Sequence, residues 1–260
     1  MRLIFVRHGE PDYVNDTLTE KGWREAELLA ERISKWNVTK FYCSPLGRAK
    51  DTASCTLKKM NRTAETLDWI KEFFYPIDDP VTGRHGVPWD FVPSCWSDDP
   101  LMFDSRQWVN AQIPGQNPMI ASAYQSVCQN MDELLSSYGY QRKNHYYQMP
   151  DAEERFISST VSPSDLSPIL NVQDTETPCL VFFCHLGITC IILSHLLNIP
   201  FQSLVHGIFL PTTSITVLNS EERWGKEAYF RAQAMGDVHH LLKGKEPLSS
   251  AGSFSIVFEG

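Results

Sequence analysis

No Cys-x-x-Cys pair occurs in this sequence, and its seven cysteines, at 43, 55, 95, 128, 179, 184 and 190, are scattered and odd in number. That argues against a disulfide framework and against a cysteine zinc site, and it fits a reducing compartment. Basic residues are also in short supply: 23 Lys and Arg stand against 31 Asp and Glu, a formal net charge of −8. Nucleic acid is thereby excluded as the main partner, because binding a phosphate backbone needs a basic face. An anionic small molecule needs only a local cluster of Arg and His. There is no internal repeat. The first apolar run, Leu3 to Val6, is too short for a secretion signal and ends at Arg7, so a cytoplasmic protein is expected. Asn15, Asn37 and Asn61 open glycosylation-type tripeptides, which without such a signal read as chance matches.

Long hydrophobic runs are nearly missing too. The exception, Leu180 to Phe201, has the length of a membrane span but contains His185, Gly187, His195 and Asn198. Such polar groups are costly in lipid, and a β-rich segment ending at Cys184 is followed by a helical one, Ile188 to Leu197. Strand, turn and helix inside a core is therefore expected, with no membrane partner.

What is present is an ordinary globular composition, 42% hydrophobic and 21% charged over 260 residues, enough for one sizeable core. Leu3 to Val6 reads as a strand. Thr19 is an N-cap for a helix from Trp23 to Trp36, with Ala26, Leu29, Ala30 and Ile33 on its apolar face. Val38 to Cys43 is a second strand, Gly47 to Lys59 a second helix, and Thr63 to Ile70 a third strand. This order predicts a parallel sheet with right-handed crossovers. Phe73 to about Pro118, rich in Pro, Asp and aromatics, breaks the rhythm. A helix from Met119 to Tyr138, an edge strand from Tyr140 to Met149 and a polar surface loop from Pro150 to Pro178 follow. Thr213 to Leu218 and Ala228 to Ala234 read as a hairpin turning at Glu221 to Gly225. The tail from Leu241 is weakly patterned.

A buried strand ending in a cation, an imidazole and a glycine, Arg7-His8-Gly9, points to a site at the carboxyl end of a parallel strand. His185 ends the strand Leu180 to Cys184 in the same way and is also followed shortly by a glycine. Arg48 enters from the turn after the second strand and Glu72 follows the third. Strand ends in a parallel sheet open on one crevice, so these four polar residues are expected to converge.

The segments Leu3-Ile-Phe-Val-Arg7-His8-Gly9-Glu10, Leu18-Thr-Glu-Lys-Gly22 with Glu25-Ala26, Ser44-Pro45-Leu-Gly-Arg48-Ala49 with Thr52-Ala53, and Phe183-Cys-His185-Leu-Gly187 resemble the histidine phosphatase superfamily, phosphoglycerate mutase-like branch. The resemblance covers about the first 72 residues and Cys179 to Leu241. It implies one domain, 1–260, with a three-layer α/β/α sandwich, a mainly parallel sheet, and an inserted cap subdomain at about 73–178 that sets substrate specificity. It implies that His8 takes a phosphoryl group from a small phosphorylated substrate, with its other ring nitrogen held by a local carbonyl. Arg7, Arg48, His185 and the backbone N–H of Leu186 would bind the phosphoryl oxygens. Glu72 would give the leaving alkoxide its proton, from a carboxyl that burial beside an anion raises; Asp78, Asp79 and Asp90 are reserves. Two Arg and two His can supply the charge stabilisation without a metal or other cofactor. The resemblance leaves a homodimer open.

The departures from the family pattern bear on function. Leu186 stands where a glycine is usual and narrows the pocket. Tyr13-Val14-Asn15 replaces a Trp-Asn pair, which puts Asn15 in doubt as a phosphate ligand. No mutase tail is evident. The expected activity is therefore a metal-independent phosphatase. The alternatives are a phosphoglycerate-type phosphomutase and an inactive relative that only binds phosphorylated ligands or a protein. Arg84, His85, Trp89 and Asp90 in the insertion recognise the rest of the substrate or belong to a small aromatic satellite core. Cys43 lies one residue too close to Arg48 for a cysteine phosphatase loop and reads as core packing, as does Cys184. His206, His239 and His240 lack metal-ligand spacing.

Overall fold

The computed structural model describes residues 1–149, 177–223 and 226–258. Twelve strands are found among them: β1 Arg2–Arg7, β2 Pro11–Asp12, β3 Thr17–Leu18, β4 Lys40–Cys43, β5 Glu65–Thr66, β6 Ile77–Asp78, β7 His85–Gly86, β8 Gln141–Lys143, β9 Tyr146–Gln148, β10 Cys179–Cys184, β11 Ile215–Arg223 and β12 Glu227–Asp237. The α-helices are α1 Glu20–Ile33, α2 Gly47–Met60, α3 Met119–Ser136, α4 Leu186–Leu197, α5 Phe201–Gly207 and α6 His239–Gly244. The central sheet has the order β5-β4-β10-β1-β11-β12-β9-β8. From β5 to β1 every pairing is parallel; beyond β1 the pairings are antiparallel, so β11 and β9 run against the other six strands. This is the expected α/β sandwich with a mainly parallel sheet.

The apolar runs of β1 and β10 are continuous because both faces of these strands are covered. Ile4, Val6, Phe41, Cys43, Val181 and Phe183 point to the side of α1 and α2. Leu3, Phe5, Tyr42, Leu180, Phe182 and Cys184 point to the side of α3 and α4. The alternation is the period-two rule of a strand read on both faces. On α1 the buried Ala26, Leu29, Ala30 and Ile33 form one stripe, and the Thr19 hydroxyl caps the helix by accepting from the Gly22 N–H.

The Leu180 to Phe201 run resolves into β10, α4 and the start of α5. Helix α4 is buried nearly all round, with Ile188, Cys190, Ile191, Ile192, Leu193 and Leu196 each at most 2% exposed. Among the described residues no helix is long and apolar enough to cross a membrane.

Three expectations need correction. The third strand is only Glu65–Thr66, followed by a 3-10 turn at Asp68–Ile70. It lies at the sheet edge and pairs on one side alone, so nothing extends it. The segment Tyr140 to Met149 is a hairpin rather than one strand, because Asn144 takes the left-handed turn conformation that asparagine tolerates. In the late hairpin, β11 continues through Glu221 to Arg223, where a turn was expected to begin; Glu221 is held across the ladder by Arg231 and the Tyr229 hydroxyl. The polar stretch 150–178 lies outside the described residues except for Thr177 and Pro178.

The segment after Glu72 packs largely onto the α3/α4 face of the sheet. Phe73, Trp108, Ile120 and Met131 share one apolar cluster with Leu3, Phe5 and Phe182. Fully buried Trp108 stacks on Phe201 at 4.6 Å and meets Tyr124 edge-on at 5.4 Å.

Candidate active site

Strands β1 and β10 are neighbours in register, Arg7 opposite Cys184, and the ladder continues one step further with the His8 N–H donating to the Cys184 carbonyl at 3.0 Å. His8 and His185 therefore emerge side by side at the carboxyl ends of parallel strands, their ring centroids 5.1 Å apart. They are 2% and 0% exposed.

His8 Nδ1 lies 2.7 Å from the Gly9 carbonyl. A carbonyl only accepts, so Nδ1 carries the proton and Nε2 keeps its lone pair. Burial, and after it the Arg7 charge, hold the His8 pKa well below the usual imidazole range, against the pull of the Gly9 carbonyl. The ring is neutral at pH 7. Gly9 itself is required by close approach: a Cβ there would meet the Gly22 carbonyl oxygen at 2.7 Å, and one on Gly22 would meet the Glu10 carbonyl oxygen at 2.3 Å.

His185 Nε2 is 2.7 Å from the Ser44 hydroxyl, which already accepts from the Leu46 N–H at 3.3 Å. With one acceptor site taken, the hydroxyl keeps its proton to give to Nε2, and in that arrangement Nδ1 of His185 is the donor. That nitrogen is buried with no protein partner, as are Nε of Arg7 and Nε of Arg48. Burial also holds the His185 pKa well below its usual value, with His8 and the two arginines adding to it. Unsatisfied buried donors cost about 1–3 kcal/mol each, so three of them in one constellation call for an acceptor.

The arginines are held from behind. Arg7 donates from Nη1 to the Leu210 carbonyl at 2.7 Å and from Nη2 to the Ala251 carbonyl at 2.8 Å. Arg48, in the first turn of α2, pairs with Asp16 at 2.6 Å and lies over the Tyr13 ring at 5.5 Å. Asp16 also accepts from the Gly47 N–H at 2.6 Å. Burial works against the Asp16 charge, but that N–H and the Arg48 guanidinium hold its pKa below the ordinary value.

Glu72 accepts at Oε1 from the N–H groups of Phe73 and Ile188, both at 2.9 Å, and at Oε2 from Gly187 at 3.3 Å. It thereby caps the N-terminus of α4 as well as lining the site. The Leu186 N–H is not among the groups it takes. Gly187 is obligatory: a Cβ would fall 2.2 Å from the Trp89 ring and 2.7 Å from the Glu72 carboxyl.

Arg7, Arg48 and Glu72 line a cavity of about 740 Å³ together with Tyr13, Leu46, Lys71, Phe74, Val87, Trp89, Asp90, Leu186, Gly252 and Phe254; His8 and His185 lie buried beside the two arginines and are not themselves among the lining residues. A groove of about 800 Å³ between α1, α2 and α6 is lined by surface charges such as Arg24 and Glu246, which pair with each other, and reaches none of the site residues. Of the insertion residues, Trp89 and Asp90 line the site cavity. Arg84 and His85 do not: both are exposed, on the β6–β7 hairpin, where His85 pairs with Asp78 at 2.8 Å. Asp79 accepts from Val81 and Thr82 in the hairpin turn. Asn15 is spent on Asp12. Cys43 and Cys184 are buried, their thiols pushed up to about 12 by burial. Among the described residues no group of three or more His, Cys, Asp or Glu is arranged to hold a metal ion.

Several participants had no assigned role from sequence. Ser44, Asp16 and Glu25 sit inside or beside the matched motifs but look like ordinary polar residues. Glu25 is fully buried and accepts from the Glu10 N–H and the Thr212 hydroxyl; burial pushes its pKa up. Thr213 adopts φ +54, a strained conformation for a β-branched residue. Its N–H donates to the His8 carbonyl at 3.1 Å, and its hydroxyl sits between the Thr212 carbonyl and His240 Nε2. The tail, unpatterned in sequence, returns to place the Ala251 carbonyl on Arg7.

Residues 3–79 match the model of the histidine phosphatase superfamily, branch 1. That match takes in β1, α1, β4 and α2, the first third of the chain, with Arg7, His8, Arg48 and Glu72 inside it. Among curated proteins it is 37% identical over 73 residues to a 2,3-bisphosphoglycerate-dependent phosphoglycerate mutase of Thermoplasma acidophilum, covering 24% of this chain and 36% of that protein. It is 36% identical over 80 residues to the corresponding mutase 2 of Bacteroides thetaiotaomicron, covering 26% and 30%. The matched stretch thus spans about a third of the length of these relatives. Solved structures share the fold of this chain over nearly their whole length. A phosphoserine phosphatase mutant from Entamoeba histolytica, in complex with phosphoserine, superposes with a TM-score of 0.56 at 18% identity, covering 92% of this chain and 98% of that one. A mycobacterial glucosyl-3-phosphoglycerate phosphatase does so with a TM-score of 0.53 at 16% identity, covering 90% and 97%.

Proposed function

We propose that this chain is a phosphatase that hydrolyses a phosphate monoester through a phosphohistidine on His8. The observation that carries the reading is the state of His8: neutral, buried, its Nδ1 tied to Gly9 and its Nε2 free beside two arginines and His185. In the first step Nε2 attacks phosphorus, a P–N bond forms and the ester P–O bond breaks. The leaving alkoxide takes a proton from Glu72, which lines the cavity. Arg7, Arg48, His185 Nδ1 and the Leu186 N–H receive the charge on the phosphoryl oxygens. In the second step a water oxygen attacks phosphorus, Glu72 takes the water proton, and the P–N bond breaks to release phosphate.

A specific observation favours hydrolysis over the mutase reaction that the curated relatives are named for. A phosphoglycerate mutase must hold a carboxylate and a second phosphate besides the one transferred. Among the described residues lining the cavity, Lys71 is the one cation beyond Arg7 and Arg48, and Asp90 and Glu72 carry the opposite charge. The test is turnover of a phosphate monoester by wild type and His8→Ala, with an isomerase assay primed by a bisphosphorylated sugar acid run in parallel. Phosphate release that depends on His8 is expected. Primed isomerisation outpacing hydrolysis would transfer the assignment to the mutase.

A further inference from the structure

The cavity lining is polar at Arg7, Arg48, Lys71, Glu72 and Asp90 and apolar at Leu46, Phe74, Val87, Trp89, Leu186 and Phe254. Three aromatic rings of the lining, Tyr13 included, stand open to water: Tyr13 is 65% exposed, Phe74 59% and Phe254 88%. They come from three separate parts of the chain, the loop after β1, the segment after Glu72 and the tail. A patch of apolar rings gathered from distant positions around the mouth of a site marks a surface that meets an apolar partner. The position of Leu186 agrees with this: a glycine there would leave the wall open, and the leucine side chain closes it.

Resting on the phosphatase reading above, we infer that the alcohol carried by the phosphate is bulky and apolar, an aromatic or long alkyl group, and not a small polyhydroxy or sugar acid. The phosphoryl group lies on the Arg7, Arg48 and His185 donors while the apolar part displaces water from Phe74, Trp89, Leu186 and Phe254. A small sugar acid would bury its hydroxyl and carboxylate groups against these rings, with Lys71 the one further cation among the described lining residues, which is unfavourable. The polar lining residues Lys71 and Asp90 suit one neutral hydrogen-bonding substituent.

The experiment compares 4-phenylbutyl phosphate with glycerol 3-phosphate, whose leaving alkoxides have similar basicity, so that leaving-group chemistry does not decide the outcome. Expected is a kcat/KM ratio of about tenfold or more in favour of the phenylalkyl ester, the lower end of what burying an aromatic ring gives. In the double variant Phe74→Ser/Phe254→Ser, whose side chains are too exposed for folding to depend on them, that ratio falls by several-fold. Equal or better turnover of glycerol 3-phosphate, with a ratio the double variant does not move, would overturn the inference and leave the His8 chemistry standing. No turnover of either ester, and none of a generic aryl phosphate, would overturn the phosphatase reading and this inference with it.

Discussion

At the scale of single residues, the site depends on tautomers set by neighbours. His8 owes its free Nε2 to the Gly9 carbonyl, and His185 owes its Nδ1–H to the Ser44 hydroxyl. Ser44→Ala therefore lets the proton on His185 move to Nε2. The phosphoryl group then loses one donor, and kcat/KM is expected to fall by about ten- to a hundredfold, the worth of a hydrogen bond to a charged group. Stability should change far less than in a core truncation. A pH–rate profile with thermal melting checks this; an unaltered rate would show that Ser44 does not set the tautomer. Arg7, His8 and His185 are legible in sequence because strand ends mark them, and Arg48 because it follows the turn after β4 at the start of α2. Ser44 and Asp16 were not, because hydrogen bonds to a functional side chain leave no periodic or compositional trace.

At the scale of elements, the site is the junction of β1, β10, α2 and α4, and glycine is the residue that lets them approach. Gly187→Ala places a methyl group against Trp89 and Glu72. It is expected to destabilise the protein by about 1–3 kcal/mol, the usual cost of overpacking, and to reduce activity by shifting both Glu72 and the start of α4. Denaturant melts and kcat measure the two effects; a neutral outcome in both would mean that Trp89 moves freely. The parallel half of the fold was readable from alternating apolar runs and caps. The third strand is shorter than its sequence suggests because local β-propensity in residues 63–70 says nothing about a missing outer neighbour. The tail was missed for the opposite reason: its anchor is a backbone carbonyl, Ala251 on Arg7, which any sequence could supply.

At the scale of the whole molecule, burial of histidines couples stability to pH. His8, His185 and His240 all have folded pKa values below that of the unfolded chain, His240 at about 4, each driven first by burial. A proton therefore binds the unfolded chain first as pH falls below about 6.5. Stability is full above that point and drops toward pH 4, by up to about 4 kcal/mol per pH unit if all three contribute. Glu25 shifts the other way, so the fold takes up its proton early and offsets part of the loss. The midpoint of urea unfolding between pH 7 and 5 should decline, and His240→Gln should flatten the decline; a constant midpoint would contradict the burial of neutral imidazoles. The central claim, that the chain is organised around a nucleophilic His8, is tested most directly by quenching the enzyme in turnover with a radiolabelled phosphate monoester. The account predicts one acid-labile, base-stable phosphoryl group per chain, on His8 and missing from His8→Ala. Turnover with no such label, or a label that persists in His8→Ala, would contradict it.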